Sequence, residues 1–253
     1  MPQEAVENMT QNTPDIRPKA CESCPIQARA VCSHCSGAEL KELDKFKYYR
    51  TYEAGQPIIF AGDKLEFVGS VVKGVATLTQ TMEDGRTQMT GLLLPSDFVG
   101  RPGRETALYD VTATTDVTMC CFRLAPFEAL LAKTPHLSQR LLEMTLDELD
   151  AAREWLLLLG RKTAREKIAS LLAFISKRQH EQTADLLSLD ICFDLPLTRE
   201  AMADYLGLTL ETVSRQISAL KREGIITLEK NRSVTVPNIA MLYQETGDDY
   251  TTS

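Results

Sequence analysis

The sequence predicts an α+β protein in which an antiparallel β-roll, of the jelly-roll type, precedes a long helix and a winged helix-turn-helix. Residues 49–123 hold short, alternating, β-branched runs between glycine turns, and regular spacing of this kind is typical of a small antiparallel barrel. After Pro135 no proline occurs until Pro196, and the apolar residues follow a helical period. Residues 198–236 show two short helical patterns joined near a glycine and then a hairpin pattern, which together indicate a winged helix-turn-helix.

Composition and charge limit what the chain can be. Its 253 residues are enough for two domains. A net charge of -7 argues against nucleic-acid binding by the whole surface, so any DNA contact needs a local basic patch. No apolar run approaches the roughly 18 residues needed to cross a bilayer, and residues 1–20 lack the apolar core of a signal peptide. We therefore expect a soluble cytoplasmic protein with reduced thiols and no membrane contact.

Changes in composition divide the chain into five segments. Residues 1–18 are polar and contain several prolines, which predicts disorder. A short helical pattern at residues 38–46 follows the first cysteines, and a further helix is predicted at residues 164–178, before an acidic loop that ends at residue 190. The predicted segments are a disordered tail (1–18), a cysteine-bearing segment and β-roll (19–125), a dimerisation helix (126–160), a winged helix domain (161–241) and a tail (242–253).

Four of the seven cysteines lie close together near the start of the chain. Cys21 and Cys24 form one Cys-x2-Cys pair, and Cys32 and Cys35 form a second. Such pairs bind metals through thiolates, and nothing marks the chain as secreted, so a metal or redox site is favoured over a disulfide framework. The gap between the pairs is shorter than in most zinc modules. The spacing by itself leaves zinc and an iron–sulfur centre both open.

The other cysteines lie in a predicted strand or in an apolar run. The β-roll strands are predicted at residues 57–60, 68–72, 75–78, 89–94 and 117–122. Cys120 and Cys121 fall on the last of these strands, and their side chains are expected on opposite faces because side chains alternate along a strand. Cys192 lies in an apolar run and is predicted to be a buried hydrophobic residue.

The long helix carries a narrow apolar stripe. Its members recur at alternating spacings of three and four residues, as in a coiled-coil heptad, with charged residues beside them. The stripe could pack on the β-roll of its own chain or on the same helix of a second copy. Because the stripe is narrow and is joined to an all-β module, a homodimer is favoured. The predicted seam consists of Leu142, Thr145, Leu149, Ala152 and Leu156.

The carboxyl-terminal segment predicts the helix-turn-helix in detail. Thr198 can cap a helix at residues 199–206, and Thr209 can cap a second helix at residues 210–223, while a glycine follows each helix. Residues 225–236 then form a hairpin with a basic turn, which corresponds to the wing of a winged helix.

The second helix and the wing offer the groups that DNA recognition needs. Basic residues outnumber acidic ones between residues 211 and 232, which reverses the sign of the whole chain. Arg215 can donate two hydrogen bonds to guanine, Glu211 can accept one from cytosine, and Ser214 can touch a base edge or a thymine methyl group. The alternative role for Glu211 is a solvated carboxylate favoured by the helix dipole. The predicted phosphate contacts are Thr209, Lys221, Lys230 and Arg232.

These residues resemble a known family. Residues 197–215, LTREAMADYLGLTLETVSR, resemble the DNA-binding motif of the CRP/FNR family of bacterial transcription regulators. The Glu-x-x-Ser-Arg within them is similar to the start of the recognition helix in the FNR branch, and the order of cysteines, β-roll, long helix and winged helix extends the resemblance to nearly the whole chain. The resemblance implies a homodimeric regulator, not an enzyme, that binds double-stranded DNA at palindromes of TTGAT half-sites and contacts RNA polymerase.

The resemblance also implies a cofactor. In the FNR branch, three amino-terminal cysteines and one from the β-roll hold an oxygen-labile 4Fe-4S cluster, which favours iron–sulfur over zinc here. The branch's spacing, Cys-x2-Cys and a third cysteine after five or seven residues, corresponds to the first three cysteines of this chain, with Cys35 as the alternative third ligand. Cys121 is the alternative to the β-roll ligand. The implied ligands of an oxygen-sensing cluster are Cys21, Cys24, Cys32 and Cys120.

Other functions receive less support from the sequence. Relatives that bind cyclic AMP carry Gly-Glu-Leu and then Arg-Ser or Arg-Thr in the β-roll, whereas residues 98–104 read FVGRPGR, so we expect no nucleotide pocket. A regulator of the same family with structural zinc or another small-ligand input is the alternative, because zinc would also use clustered thiols. A redox enzyme is disfavoured, since the sequence has no Gly-rich dinucleotide motif and its histidines are scattered.

Overall fold

The computed structural model describes residue 18 and residues 20–183, 191–230 and 232–248. The predicted disordered tail lies outside these residues except for its last position, and the end of the predicted acidic loop also lies outside them. Within the described ranges, no helix is both long and apolar enough to span a membrane.

The amino-terminal half folds into the predicted antiparallel β-roll. Its strands are β1 (Lys47–Tyr52), β2 (Pro57–Ile59), β3 (Phe67–Lys73), β4 (Ala76–Thr81), β5 (Thr87–Leu93), β6 (Phe98–Val99), β7 (Asp110–Ala113) and β8 (Val117–Arg123). In the described part of the chain these strands form two four-stranded sheets, with the orders β1-β8-β3-β6 and β2-β7-β4-β5. Val71, Val111 and Met119 are among the side chains of the apolar core between the sheets.

Three strands of the β-roll carry no strong sequence signal. β1 begins at Lys47, before the predicted β region, and its charged and tyrosine-rich side chains remain partly exposed because it lies at the edge of its sheet. β6 and β7 are short, with two and four residues. Their positions are set by pairing with longer strands and not by an apolar pattern of their own.

The helices follow the predicted order, with two additions. They are α1 (Gly37–Phe46), α2 (Leu124–Leu131), α3 (Pro135–Arg161), α4 (Ala164–Thr183), α5 (Arg199–Leu206), α6 (Leu210–Arg222) and α7 (Ile239–Gln244). The additions are α2 and α7. The segment predicted at residues 126–160 contains the end of α2 as well as the long helix, because residues 126–131 belong to α2. The long helix starts at Pro135, which suits the first turn of a helix since its missing N–H has no partner to lose there.

The carboxyl-terminal half contains the predicted winged helix-turn-helix. Its sheet has the order β10-β11-β9 and is formed by β9 (Ile191–Asp194), β10 (Thr227–Glu229) and β11 (Ser233–Val236). Thr198 Oγ1 caps α5 by accepting a hydrogen bond from Ala201 N at 3.1 Å. Gly207 ends α5 at a φ of 61°, a left-handed conformation that favours glycine. The first strand of the wing starts later than predicted, because Ile225 and Ile226 lie in the core instead.

Two further predictions for this half were wrong. Cys192 is exposed on the edge strand β9, where its Sγ lies 3.2 Å from Thr235 Oγ1. The neighbouring Phe193 enters the core instead, because alternate residues of a strand face opposite sides. The tail predicted at residues 242–253 begins too early, since α7 continues to Gln244 and Leu242 is fully buried.

The two halves of the molecule meet at a junction that includes α3. Apolar side chains of the β-roll, α3 and the winged helix belong to one core. The ring of Trp155 in α3 stacks on Tyr205 in α5, with 4.3 Å between the centroids. An ion pair joins Asp97, in the loop before β6, to Arg178 of α4. A displacement of α3 relative to the β-roll would therefore change the packing of the winged helix at this junction.

Candidate functional site

Five cysteines from two distant parts of the sequence lie in one apolar cluster. Cys21, Cys35 and Cys120 are buried, with 7%, 9% and 8% of their surface exposed. Cys24 and Cys32 are partly buried beside them. The β-roll itself brings Cys120 to this place, because β8 lies under the amino-terminal segment. We call this set of five side chains the cysteine pocket.

Short turns and apolar anchors position the amino-terminal cysteines. A 3-10 turn spans Cys21–Ser23, and Cys24 N closes it by donating to Cys21 O at 3.2 Å. Between the two Cys-x2-Cys pairs, Ile26 and Val31 are buried in the same cluster as the thiols. Burial of these side chains anchors the segment on the β-roll and keeps the cysteines close to β8.

Alternation along β8 separates its two cysteines, as the sequence predicted. Cys120 belongs to the cluster of the amino-terminal segment, whereas Cys121 belongs to the core between the sheets. The neighbouring strand β3 approaches closely, since a Cβ on Gly69 would lie 2.5 Å from Cys120 O. Only glycine permits this approach. The β-sheet thus fixes the backbone at Cys120 while its thiol joins the pocket.

Burial favours the neutral form of these thiols. It raises the pKa of Cys21 and of Cys32 to about 12, and that of Cys35 to about 11. The pKa of Cys120 is raised first by burial and then by the neighbouring thiols, which include Cys21 and Cys24. A coordinating metal reverses this preference, because a cation stabilises the thiolate that binds it. The pocket therefore contains thiols that become ligands only together with a metal.

The donor set fits a metal–thiolate centre by its chemistry. Clustered cysteines in an apolar surrounding are the ligands that iron–sulfur clusters and structural zinc use. Among the described residues, however, no group of three or more His, Cys, Asp or Glu side chains is already arranged around a point that could hold a metal ion. The side chains must close around the metal as it binds.

Two charged residues beside the pocket were not found by the sequence analysis. Cys21 Sγ donates a hydrogen bond to Asp44 Oδ1 at 3.3 Å, and Lys47 Nζ lies 2.5 Å from the same oxygen. The side chain of Lys47 is only 8% exposed, which is rare for a lysine. Asp44 lies near the end of α1 and Lys47 opens β1, so no periodic pattern links them to the cysteines.

One face of α6 carries the predicted base contacts. Glu211, Ser214 and Arg215 are exposed, whereas Val213 and Ile217 on the opposite face are buried in the core. This division is the amphipathic pattern of a helix that packs on its own domain and presents a polar face to a groove. The three predicted side chains therefore share one solvent-facing surface.

The predicted phosphate contacts are exposed around that surface. Thr209 Oγ1 caps α6 by accepting from Thr212 N at 3.2 Å, so its hydroxyl has a structural partner already. A capped helix start still offers backbone N–H groups to an anion. Lys221 lies in the last turn of α6, Lys230 at the wing turn has a φ of 49°, and Arg232 follows it.

The predicted seam of α3 is an unpartnered apolar surface. Leu142, Leu149 and Leu156 are 59%, 45% and 71% exposed, and Thr145 and Ala152 are exposed between them. The exposure disagrees with packing of this stripe on the β-roll of its own chain. Contiguous exposed apolar side chains of this kind mark an interaction surface. Two more exposed leucines that the prediction missed are Leu146 and Leu157.

The fold and the exposed face of α6 define a DNA-binding transcription regulator with a winged helix domain. Residues 49–134 match the family model of the cyclic nucleotide-binding domain, and residues 166–245 match that of the Crp-like helix-turn-helix domain. The chain belongs to the CRP/FNR family, as its sequence predicted, and its relatives include regulators of the FNR type.

Several relatives support the assignment to this family. The chain is 68% identical to the transcriptional activator protein FnrL of Cereibacter sphaeroides over 229 residues, which cover 90% of this chain and 92% of FnrL. It is 36% identical to the nitrogen fixation regulation protein FixK of Bradyrhizobium diazoefficiens, over 82% of this chain and 86% of FixK. The solved structure of FixK2 from Bradyrhizobium japonicum has 28% identity and a TM-score of 0.72, and the match covers 80% of this chain and 98% of FixK2.

Proposed function

We propose that this chain is an oxygen-sensing transcription regulator whose cysteine pocket holds a 4Fe-4S cluster. One observation carries the proposal: a cysteine of β8 is buried together with cysteines of the amino-terminal segment in a single apolar pocket. Four cysteine thiolates are the ligand set of such a cluster. When bound, the cluster supplies an oxygen-labile link between the segment and β8. The proposed ligands are Cys21, Cys24, Cys32 and Cys120.

Charge and side-chain direction support this choice of ligands. Burial is the largest cause that raises the pKa of both thiols; the Glu39 carboxylate raises the pKa of Cys35 further, whereas that of Cys32 is raised further by neighbouring thiols and lowered by Lys47. An anionic ligand is therefore better accommodated at Cys32 than at Cys35. Cys121 belongs to the core between the sheets, away from the amino-terminal thiols. It is the less suitable ligand of the two on β8.

The pocket is in contact with the start of the dimerisation helix. Leu137 of α3 is buried in the same cluster as the cysteines, and Leu141 and Met144 pack against it. Arg140 Nη2 donates to Arg29 O of the cysteine-bearing segment at 2.9 Å. Ordering of this segment by cluster ligation would therefore favour one position of α3, and its loss would release that position. This is the proposed route from oxygen to the dimer seam.

The dimer would read DNA through two copies of α6. We expect Arg215 to bind the guanine of a TTGAT half-site, with Glu211 and Ser214 as the other base contacts. Thr209, Lys221, Lys230 and Arg232 would hold phosphates and set the register. Because FnrL is named a transcriptional activator, we extend to this chain an activating contact with RNA polymerase in the cytoplasm.

We further infer that the β-roll does not bind a cyclic nucleotide, although it belongs to the domain family of that name. In the stretch at residues 98–104, Gly103 N donates to Glu128 Oε1 at 2.7 Å. A carboxylate thus occupies a backbone donor of this stretch, and its charge repels an anion. The signal that reaches the winged helix would therefore come from the cysteine pocket.

A structural zinc site is the second candidate, and the burial of Cys35 favours it. Cys35 is 9% exposed and lies in the same cluster as the other amino-terminal cysteines. Two Cys-x2-Cys pairs could therefore bind zinc without Cys120. In that case the segment would be fixed permanently, and oxygen would have no effect on the dimer.

Metal content and absorption of the anaerobically purified protein separate the two candidates. The cluster predicts iron and sulfide in the protein and an absorption band at about 400 nm that bleaches in air. The zinc site predicts one zinc ion for each chain and a spectrum without this band. Protein that contains stoichiometric zinc, and in which iron and sulfide do not assemble a cluster under anaerobic conditions, contradicts the proposed function.

A further inference from the structure

Lys47 is a buried cation with too few partners for its charge. Its Nζ is inaccessible to water and makes no hydrogen bond of good geometry with a described residue. In the described part of the chain, Nζ lies 2.5 Å from the Asp44 carboxylate and 5.7 Å from the centroid of the Tyr49 ring. An ammonium group has three donors, and burial without acceptors is unfavourable. Among the described residues, the buried ammonium group therefore has one carboxylate and one aromatic ring as its neighbours.

The ammonium group acts on the proposed cluster ligands. Asp44 Oδ1 lies 2.5 Å from Lys47 Nζ and accepts a hydrogen bond from Cys21 Sγ at 3.3 Å, so a single oxygen atom separates the ammonium group from that thiol. Cys120 in turn contributes to the electrostatic environment of Lys47. The strand β1 pairs directly with β8, where Tyr49 lies opposite Cys120, and Lys47 lies on the same face of β1 as Tyr49 because side chains alternate along a strand.

The Asp44 carboxylate does not cancel this effect. Its side chain is 34% exposed, compared with 8% for Lys47, so water screens the carboxylate more than the ammonium group. Its hydrogen bond goes to Cys21 alone among the cysteines of the pocket. The charge of the carboxylate is therefore screened more strongly than the charge of the ammonium group.

We propose that Lys47 is the counter-charge of the metal–thiolate centre in the cysteine pocket. Four thiolates around a 4Fe-4S core or around a divalent ion carry net negative charge, which is costly in an apolar surrounding. The buried ammonium group offsets that charge and donates hydrogen bonds to thiolate sulfur. The inference deepens the proposed function and rests on it, because it names a residue that sets the stability and the redox potential of the proposed cluster.

The first test uses cobalt(II) alone as the probe of a four-thiolate centre, with the full-length, metal-free, reduced protein. We expect Lys47→Met to weaken cobalt binding, followed by thiolate-to-cobalt absorption, at least about tenfold, because a unit charge is removed at short range. Lys47→Arg keeps the charge and should stay within about threefold of the wild type. Lys45→Met is the matched control: Lys45 is 62% exposed and pairs with Glu42, so its loss should leave cobalt affinity unchanged.

A neutral double variant guards against a folding defect. If Lys47→Met leaves the Asp44 carboxylate without its partner and unfolds the segment, Asp44→Asn with Lys47→Met removes both charges together. The double variant should still bind cobalt more weakly than the wild type, because the buried positive charge beside the pocket is lost. Wild-type affinity in a folded Lys47→Met or double variant would overturn the assignment of Lys47.

The second test uses the reconstituted iron–sulfur protein under anaerobic conditions. Lys47→Met should shift the midpoint potential of the cluster to more negative values, since the more negative reduced form loses its counter-charge, while Lys45→Met should not. If the wild-type protein binds cobalt but assembles no iron–sulfur cluster, the proposed function is contradicted. The cobalt measurements would still test the role of Lys47 in that case. If Lys47→Met changes neither the midpoint potential nor the cobalt affinity, the proposed role of Lys47 is contradicted, whereas the proposed cluster is not.

Discussion

The cysteine pocket and the exposed face of α6 are built in opposite ways. The pocket joins side chains that are far apart in the sequence, from Cys21 to Cys120, and buries them in an apolar cluster. The DNA-facing residues lie within one short stretch of chain and are exposed. The pocket therefore depends on the whole β-roll, whereas the recognition face depends on one local motif. Changes in the pocket should alter every later step, and changes on α6 should alter DNA binding alone.

The largest effect should come from the cysteines. Replacing Cys120 with Ser should abolish the anaerobic iron–sulfur absorption, because the cluster loses a thiolate ligand. Cys121→Ser is the matched control on the same strand, since that side chain faces the core between the sheets. The same comparison applies in the segment, where Cys32→Ser should lose the cluster and Cys35→Ser should keep it. A cluster that survives Cys120→Ser and is lost in Cys121→Ser would reverse the assignment on β8.

The next effect concerns the seam that links the pocket to the DNA-binding half. Leu156→Glu should weaken dimerisation by about 3 kcal/mol or more, because each protomer would bury a carboxylate without a partner. Leu108→Glu is a suitable control, since Leu108 is also exposed, at 48%, but lies on the β-roll. Analytical sedimentation of the anaerobic protein measures the dimerisation of both variants. Equal dimerisation of Leu156→Glu and wild type would mean that α3 uses another face.

The smallest effects should distinguish two kinds of contact on the recognition face. Arg215→Ala should cost about 1–3 kcal/mol per half-site and relax the preference for the guanine, because a bidentate base contact is lost. Lys230→Ala on the wing should weaken binding to all DNA sequences alike. It should also reduce the slope of affinity against salt by about one unit, because the variant loses a phosphate contact that releases one counterion on binding. Affinities for a TTGAT palindrome and for a guanine-substituted palindrome, each at two salt concentrations, measure the base preference and the salt slope of each variant. Unchanged discrimination in Arg215→Ala would place another face of α6 in the groove.

Much of the recognition face was predictable because its signals are local. Thr198 and Thr209 cap the two helices, and Gly207 supplies the left-handed turn, all within a few residues of the structure they determine. The alternation of Cys120 and Cys121 was predictable for the same reason, since the period of a strand needs only its own sequence.

Features that depend on distant contacts were missed. The approach of Asp44 and Lys47 to the cysteines arises where α1 ends and β1 pairs with β8, which no local pattern encodes. Cys192 was assigned to the core because its run is apolar, but the run is an edge strand and only alternate residues are buried. The tail was placed too early because α7 is short and its burial depends on packing against α4.

The central claim is that the cysteine pocket controls the DNA-binding face through α3, and oxygen-dependent DNA binding tests it most directly. The measurement compares the affinity of anaerobic, cluster-loaded protein for a TTGAT palindrome with that of the same preparation after exposure to air. We expect at least about tenfold weaker binding in air, a coupling on the order of 1.4 kcal/mol or more. Equal affinity of the aerated, cluster-free protein and the anaerobic protein would contradict the account, because the pocket would then have no control over α6.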